Sequence, residues 1–82
     1  MPVQAYILIQ TEVGKAAAVA AQISALDGVA QAEDVTGPYD VIVHVAASDV
    51  EDLGRSVVSA VQKVPGITRT LTCPVVSASA AR

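Results

Sequence analysis

Two short segments of this chain are apolar at nearly every position, and they constrain the fold more than any other feature. They read AYILI over residues 5–9 and VIVHV over residues 41–45. β-Branched and large aliphatic side chains favour strands, and a strand that is apolar on both of its alternating faces needs cover on both sides. The sequence therefore predicts two buried strands near the middle of a sheet.

Two other segments repeat apolar residues at spacings of three and four, which is the pattern of one helix face. The first stripe is formed by Ala16, Val19, Ile23 and Leu26, and the second by Val50, Leu53, Val57, Val61 and Val64. Gly28 and Pro65-Gly66 follow the stripes and predict where the helices end. Ser48 and Glu51 have capping-box spacing, so the second helix is expected to begin at Ser48.

Two more strands complete the predicted elements, one over residues 29–35 and one over residues 67–76. The order is then βαββαβ, that of the split βαβ or ferredoxin-like motif. Right-handed crossovers place strands one and three in the centre of a four-stranded antiparallel sheet, with both helices on one face. We predict an α+β fold of this type, with one domain over residues 1–76 and a flexible tail over residues 77–82.

One face of that sheet lacks cover within the chain, although both central strands are apolar on both faces. The chain is 52% hydrophobic but has no Phe and no Trp, so its core consists of small aliphatic side chains. A small domain with such a core gains stability by associating. We therefore expect the open face to pack against the same face of a second copy.

Charge and composition argue against several classes of partner. The net charge is −3 and the five Lys and Arg residues are scattered, so no basic stripe is available for nucleic acid. No apolar stretch approaches the roughly 20 residues of a membrane span, and the N-terminus does not resemble a signal peptide. The single cysteine, Cys73, offers no disulfide and no metal spacing. We expect a cytoplasmic protein without a cofactor.

The turn Thr36-Gly37-Pro38-Tyr39-Asp40 is the densest polar group in the chain. Backbone amides near Gly37 could hold a carboxylate, Asp40 could accept from an ammonium group, and Tyr39 could wall an apolar side chain. These are the parts needed to bind an amino acid. The alternative is an ordinary turn in which Asp40 bonds the local backbone.

Other polar residues of the predicted strands also have two interpretations. Thr70 and Thr72 alternate with apolar residues and could offer hydroxyls to a ligand's carboxylate, or could simply reflect β propensity. His44 could act as a base, but a lone histidine is more often structural. Cys73 has no partner for nucleophilic chemistry and is expected to be inert.

Four marks in order make the chain resemble the C-terminal effector domain, or RAM domain, of the Lrp/AsnC transcription regulators, over roughly residues 4–76. The marks are the opening strand AYILIQ, the G-x-Y-D turn into VIVHV, the Leu53-Gly54 helix and the Pro65-Gly66-Ile67 entry to a Thr-rich strand.

The resemblance implies sheet-to-sheet dimers, rings of dimers and an amino acid or related metabolite bound between dimers. It also implies ligand contacts for Gly37, Tyr39 and Asp40, and for Thr70 and Thr72 of the last strand.

The family's helix-turn-helix has no counterpart in these 82 residues. The expected function is therefore that of a stand-alone sensing and oligomerisation module, not an enzyme, that could co-assemble with full-length relatives. Two alternatives stay open. One is a small dimeric enzyme of the isomerase or monooxygenase type, and the other is a structural oligomer without a ligand.

We expect the 82-residue chain alone to leave duplex DNA unshifted at about 150 mM salt, because a chain of charge −3 repels phosphates and has no basic surface to hold them. An electrophoretic mobility-shift assay checks this. Sequence-specific retention of a duplex by this chain would contradict the prediction.

Overall fold

A computed structural model describes residues 3–76 of the chain. The predicted tail over residues 77–82 lies outside the described residues. The four strands are β1 (Val3–Thr11), β2 (Val29–Asp34), β3 (Val41–Ala47) and β4 (Ile67–Pro74). The helical segments are α1 (Ala16–Ser24), α2 (Val50–Asp52), a π-helical stretch (Leu53–Val58) and α3 (Ser59–Gln62), of which the last three form one continuous second helix.

The strands form one antiparallel sheet in the order β2-β3-β1-β4. This order confirms the predicted ferredoxin-like α+β architecture, with AYILI and VIVHV in the two central strands. Ile7 pairs with Val43 on one side and with Thr72 on the other. Directly paired residues share a face, so this register assigns every strand residue to one side of the sheet.

The helices cover one face of the sheet and leave the other open. On the covered face, six residues of the two central strands have no solvent exposure: Ala5, Ile7, Ile9, Val41, Val43 and Val45. They pack against apolar residues of both helices, namely Val19, Ile23, Leu53, Val57 and Val61. Burial of each such side chain contributes roughly 1.5–3 kcal/mol, so this single layer holds the domain together. Within residues 3–76, no helix has the length and apolar character needed to cross a membrane.

The second helix begins one residue later than the sequence predicted. Asp49, not Ser48, is the N-cap, and its Oδ1 accepts from the Asp52 amide at 2.7 Å. Carboxylates and hydroxyls cap equally well, and the spacing Asp49 to Asp52 competes with Ser48 to Glu51. The Ser56 hydroxyl and then the Ser48 amide donate to Asp52 and hold the pKa of its carboxyl below the ordinary value.

Gly28 lets the second helix approach the sheet closely. Its φ of +88° is a left-handed conformation, and its carbonyl accepts from the Ala46 amide at 2.8 Å. A Cβ at this position would lie 2.8 Å from Val57 Cγ2, which is closer than van der Waals contact allows. Glycine is therefore required both by the backbone angle and by the packing of Val57.

Gly28→Ala is expected to destabilise the fold more than Gly14→Ala, which is the matched control. Gly14 has φ of +80° but nothing within 4 Å of an added Cβ, so its substitution costs only the backbone strain, about 1–2 kcal/mol. Gly28→Ala adds an overpacking cost of about 1–3 kcal/mol against Val57. Urea unfolding at one fixed protein concentration compares the two variants. Equal losses would contradict the close approach.

Candidate functional site

The turn Thr36–Asp40, hereafter the rim turn, joins β2 to β3 and is tied to the end of β1. The Asp40 amide donates to the Ile9 carbonyl at 2.8 Å, and the Val35 amide donates to the Asp40 carbonyl at 2.8 Å. The Asp40 Oδ2 accepts from the Thr11 amide, also at 2.8 Å. Asp40 therefore links the end of β1 to Val35, the residue after β2, directly before β3 begins.

These bonds bear on both interpretations of the rim turn. One carboxylate oxygen of Asp40 serves a backbone amide of β1, which is the structural role. No hydrogen bond within residues 3–76 engages its Oδ1. Around Gly37 the space is open, since nothing lies within 4 Å of an added Cβ. Tyr39 is half-buried beside them. The rim turn is thus held in place and is also accessible to a small molecule.

The structure separates the two predicted threonines from the rim turn. Thr70 pairs with Ile9 and Thr72 with Ile7, so both face the helix-covered side and are half-buried. Since β1 lies between β3 and β4, Thr70 is displaced from the start of β3 by two strand spacings, about 10 Å. The Thr70 hydroxyl lies 3.5 Å from Gln62 Nε2. Neither threonine takes part in the hydrogen bonds that hold the rim turn.

A cleft of about 240 Å³ opens at the same rim, one strand further along. Glu12 links the two places, because it follows Thr11 and its amide donates to the Gly66 carbonyl at 2.8 Å. None of the predicted site residues lines the cleft, whose walls are Glu12, Lys15, Ala18, Val19, Gln22, Pro65 and Gly66. Lys15 is the only Lys or Arg before Arg55, and this was the one feature of the sequence that could have indicated the cleft.

The open face of the sheet carries an apolar patch. Tyr6, Ile42 and Leu71 are 45%, 37% and 44% exposed, and Leu8 lies between Ile42 and Leu71 in one row of paired residues. Charged residues occur only on the two edge strands. The open face consists of Gln4, Tyr6, Leu8, Gln10, Gln31, Glu33, Ile42, His44, Ala46, Arg69, Leu71 and Cys73.

His44 lies on this open face and contacts uncharged groups. Its ring stacks on Tyr6 with centroids 4.9 Å apart, and its Nε2 is 3.1 Å from Gln4 Oε1. No carboxylate orients the imidazole among the described residues, as general acid–base catalysis would need. Cys73 is exposed beside Tyr6. Among residues 3–76 no group of three His, Cys, Asp or Glu side chains could hold a metal ion.

These features define a ferredoxin-like α+β domain with one open apolar face and a polar rim turn. The family model described as the Lrp/AsnC ligand binding domain matches residues 4–81, and the chain belongs to that family. The resemblance seen in the sequence is confirmed.

Several solved structures share this fold. TTHA0845 from Thermus thermophilus is 32% identical with a TM-score of 0.82, and the match covers 90% of this chain and 92% of that one. A hypothetical protein from Pyrococcus horikoshii is 34% identical with a TM-score of 0.82, covering 90% and 89%. Escherichia coli AsnC shares the fold with a TM-score of 0.85 at 23% identity, covering 98% of this chain and 54% of AsnC.

The curated relatives are longer proteins. An uncharacterized HTH-type transcriptional regulator of Pyrococcus horikoshii is 35% identical over 54 residues, which are 66% of this chain and 36% of the regulator. A regulator of the same description from Pyrococcus abyssi is 33% identical over the same shares. The chain therefore spans about a third of the length of these relatives, and matches a regulatory ligand-binding module.

Proposed function

We propose that this chain senses an amino acid or a closely related metabolite at the rim turn and assembles with copies of itself. The observation that carries the proposal is the geometry of Asp40, which is fixed by Thr11 through one carboxylate oxygen and keeps the other for a ligand. Membership of a ligand-binding family supports it. Asp40 then accepts from the ligand's ammonium group, and backbone amides near Gly37 hold its carboxylate.

The remaining predicted contacts have unequal support. Tyr39 is half-buried next to Asp40 and supplies an apolar wall for the ligand's side chain. Thr70 and Thr72 stay candidates only for contacts from the helix-covered side, because they face away from the open face. We also propose that the chain is cytoplasmic, because its relatives are described as HTH-type transcriptional regulators, which need access to DNA.

Ligand binding is tested first by a thermal-shift screen of the twenty amino acids, since a ligand of the folded state raises the unfolding temperature. Asp40→Asn is the informative variant, because its amide oxygen can still accept from Thr11. We expect it to weaken the hit by about 10-fold in calorimetry, since charge-assisted hydrogen bonds are about twice as strong as neutral ones.

Asp34→Asn is the matched control for that measurement. It removes the same charge from the same rim, at the exposed end of β2, without touching the Thr11 bond. We expect it to bind the ligand as the unmodified chain does. If Asp40→Asn also binds equally well, Asp40 has no ligand role. If no amino acid binds at millimolar concentration, the sensing proposal fails, and the use of Asp40 by Thr11 favours a structural oligomer.

The proposed assembly buries the open face against the same face of a second copy. A two-fold pairing places the apolar patch of one copy on that of the other and leaves the charged edge strands at the margin. Exposed apolar patches rimmed by polar residues mark such interaction sites. We also propose, from the family resemblance, that dimers join into rings, that full-length relatives can join them, and that DNA binding is not a property of these 82 residues.

Ile42→Glu is expected to convert the dimer to a monomer at micromolar concentration, because it places a charge within the apolar patch. Val13→Glu is the matched control, since Val13 is fully exposed in the loop before α1 and its substitution should leave the mass unchanged. Light scattering measures both. A monomeric unmodified chain, or a dimer that survives Ile42→Glu, would contradict this interface.

A further inference from the structure

His44 places a titratable group inside the surface that the proposed function covers. It lies on central strand β3, opposite Tyr6 of β1 and Gln31 of β2. Within one copy its ring is half-buried, with one side against Tyr6. In the proposed dimer, a second copy packed on the two central strands covers the exposed side of this ring.

The uncharged imidazole suits such a covered position. The Gln4 carbonyl oxygen only accepts, so Nε2–H is the donor in that contact, and Nδ1 of the neutral ring is an uncharged acceptor. Protonation adds an N–H at Nδ1 and a full charge. In the separate chain, water solvates both, and the face of Tyr6 attracts the cation.

The other titratable groups on this face do not supply a partner for the charge. Glu33 of β2 lies opposite Ile42, one row away and exposed at the sheet edge. Cys73 and Arg69 are on β4, separated from β3 by β1. The helices are on the opposite face and direct no charged group towards His44. Within one copy, an imidazolium at this position therefore lacks a carboxylate contact, and covering it with an apolar surface is costly.

We propose that protonation of His44 dissociates the face-to-face dimer, so that association through the open face responds to pH between about 7.5 and 5.5. This inference rests on the proposed dimer and adds its regulation. The direction follows from linkage, because a dimer that excludes protons from two imidazoles is disfavoured as the pH falls. It links assembly to acidity independently of any ligand at the rim turn.

The test measures the dimer dissociation constant by fluorescence-detected sedimentation of the chain labelled at its N-terminus, at pH 7.5 and 5.5. His44 is the only histidine, and carboxylates, thiols and phenols ordinarily titrate outside this window. We expect the constant to rise by about 10- to 100-fold at pH 5.5, the upper limit being reached when both imidazoles must lose their protons. Circular dichroism at both pH values separates dissociation from unfolding.

His44→Gln and His44→Phe are the controls. The first keeps a polar side chain and the second keeps a ring on Tyr6, and neither can take up a proton. Both are expected to associate equally at the two pH values. An unchanged constant for the unmodified chain, or an equal shift in both variants, overturns the inference and leaves the dimer standing. A chain that is monomeric at pH 7.5 overturns the dimer itself and this inference with it.

Discussion

The structure depends on covering two adjacent strands, β1 and β3, which are apolar on both faces. The helices supply one cover, and the residues of that layer lose all solvent contact. Because these side chains are aliphatic and small, the layer works only if the helices approach closely. That requirement explains Gly28 beneath Val57, where a single added carbon would push the second helix away from the sheet.

The same pair of strands also organises both candidate binding surfaces. Asp40 sits at the start of β3 and is tied to the end of β1 through Ile9 and Thr11. His44 lies further along β3, opposite Tyr6 on the open face. The proposed ligand site at the rim and the proposed interface on the open face therefore share the same two strands.

The fold and the ligand-binding role of this chain are supported by different relatives. Escherichia coli AsnC has nearly the same backbone arrangement at 23% identity, which is a statement about fold. The family model and the HTH-type relatives add a regulatory, ligand-binding role. The fold does not specify which ligand is bound, since one ferredoxin-like scaffold supports many functions.

The sequence by itself determined the element order and the central position of AYILI and VIVHV, because periodicity and turn residues report local backbone preferences. It placed Leu26 and Val64 on the helices, whereas α1 ends at Ser24 and α3 at Gln62. It misplaced the second N-cap, since Ser48 and Asp49 are equally able caps and only the backbone path chose Asp49. It grouped Thr70 and Thr72 with Asp40, whereas within one copy β1 separates Thr70 from the start of β3, and it did not predict the cleft beside Lys15.

The N-cap at Asp49, the face of Thr70 and the cleft beside Lys15 became visible only in the tertiary structure. Register decided that Thr70 faces the helices, and packing brought Glu12 against Gly66 from the far end of the chain. Distances between residues remote in sequence depend on how the layers pack, which one-dimensional periodicity does not encode.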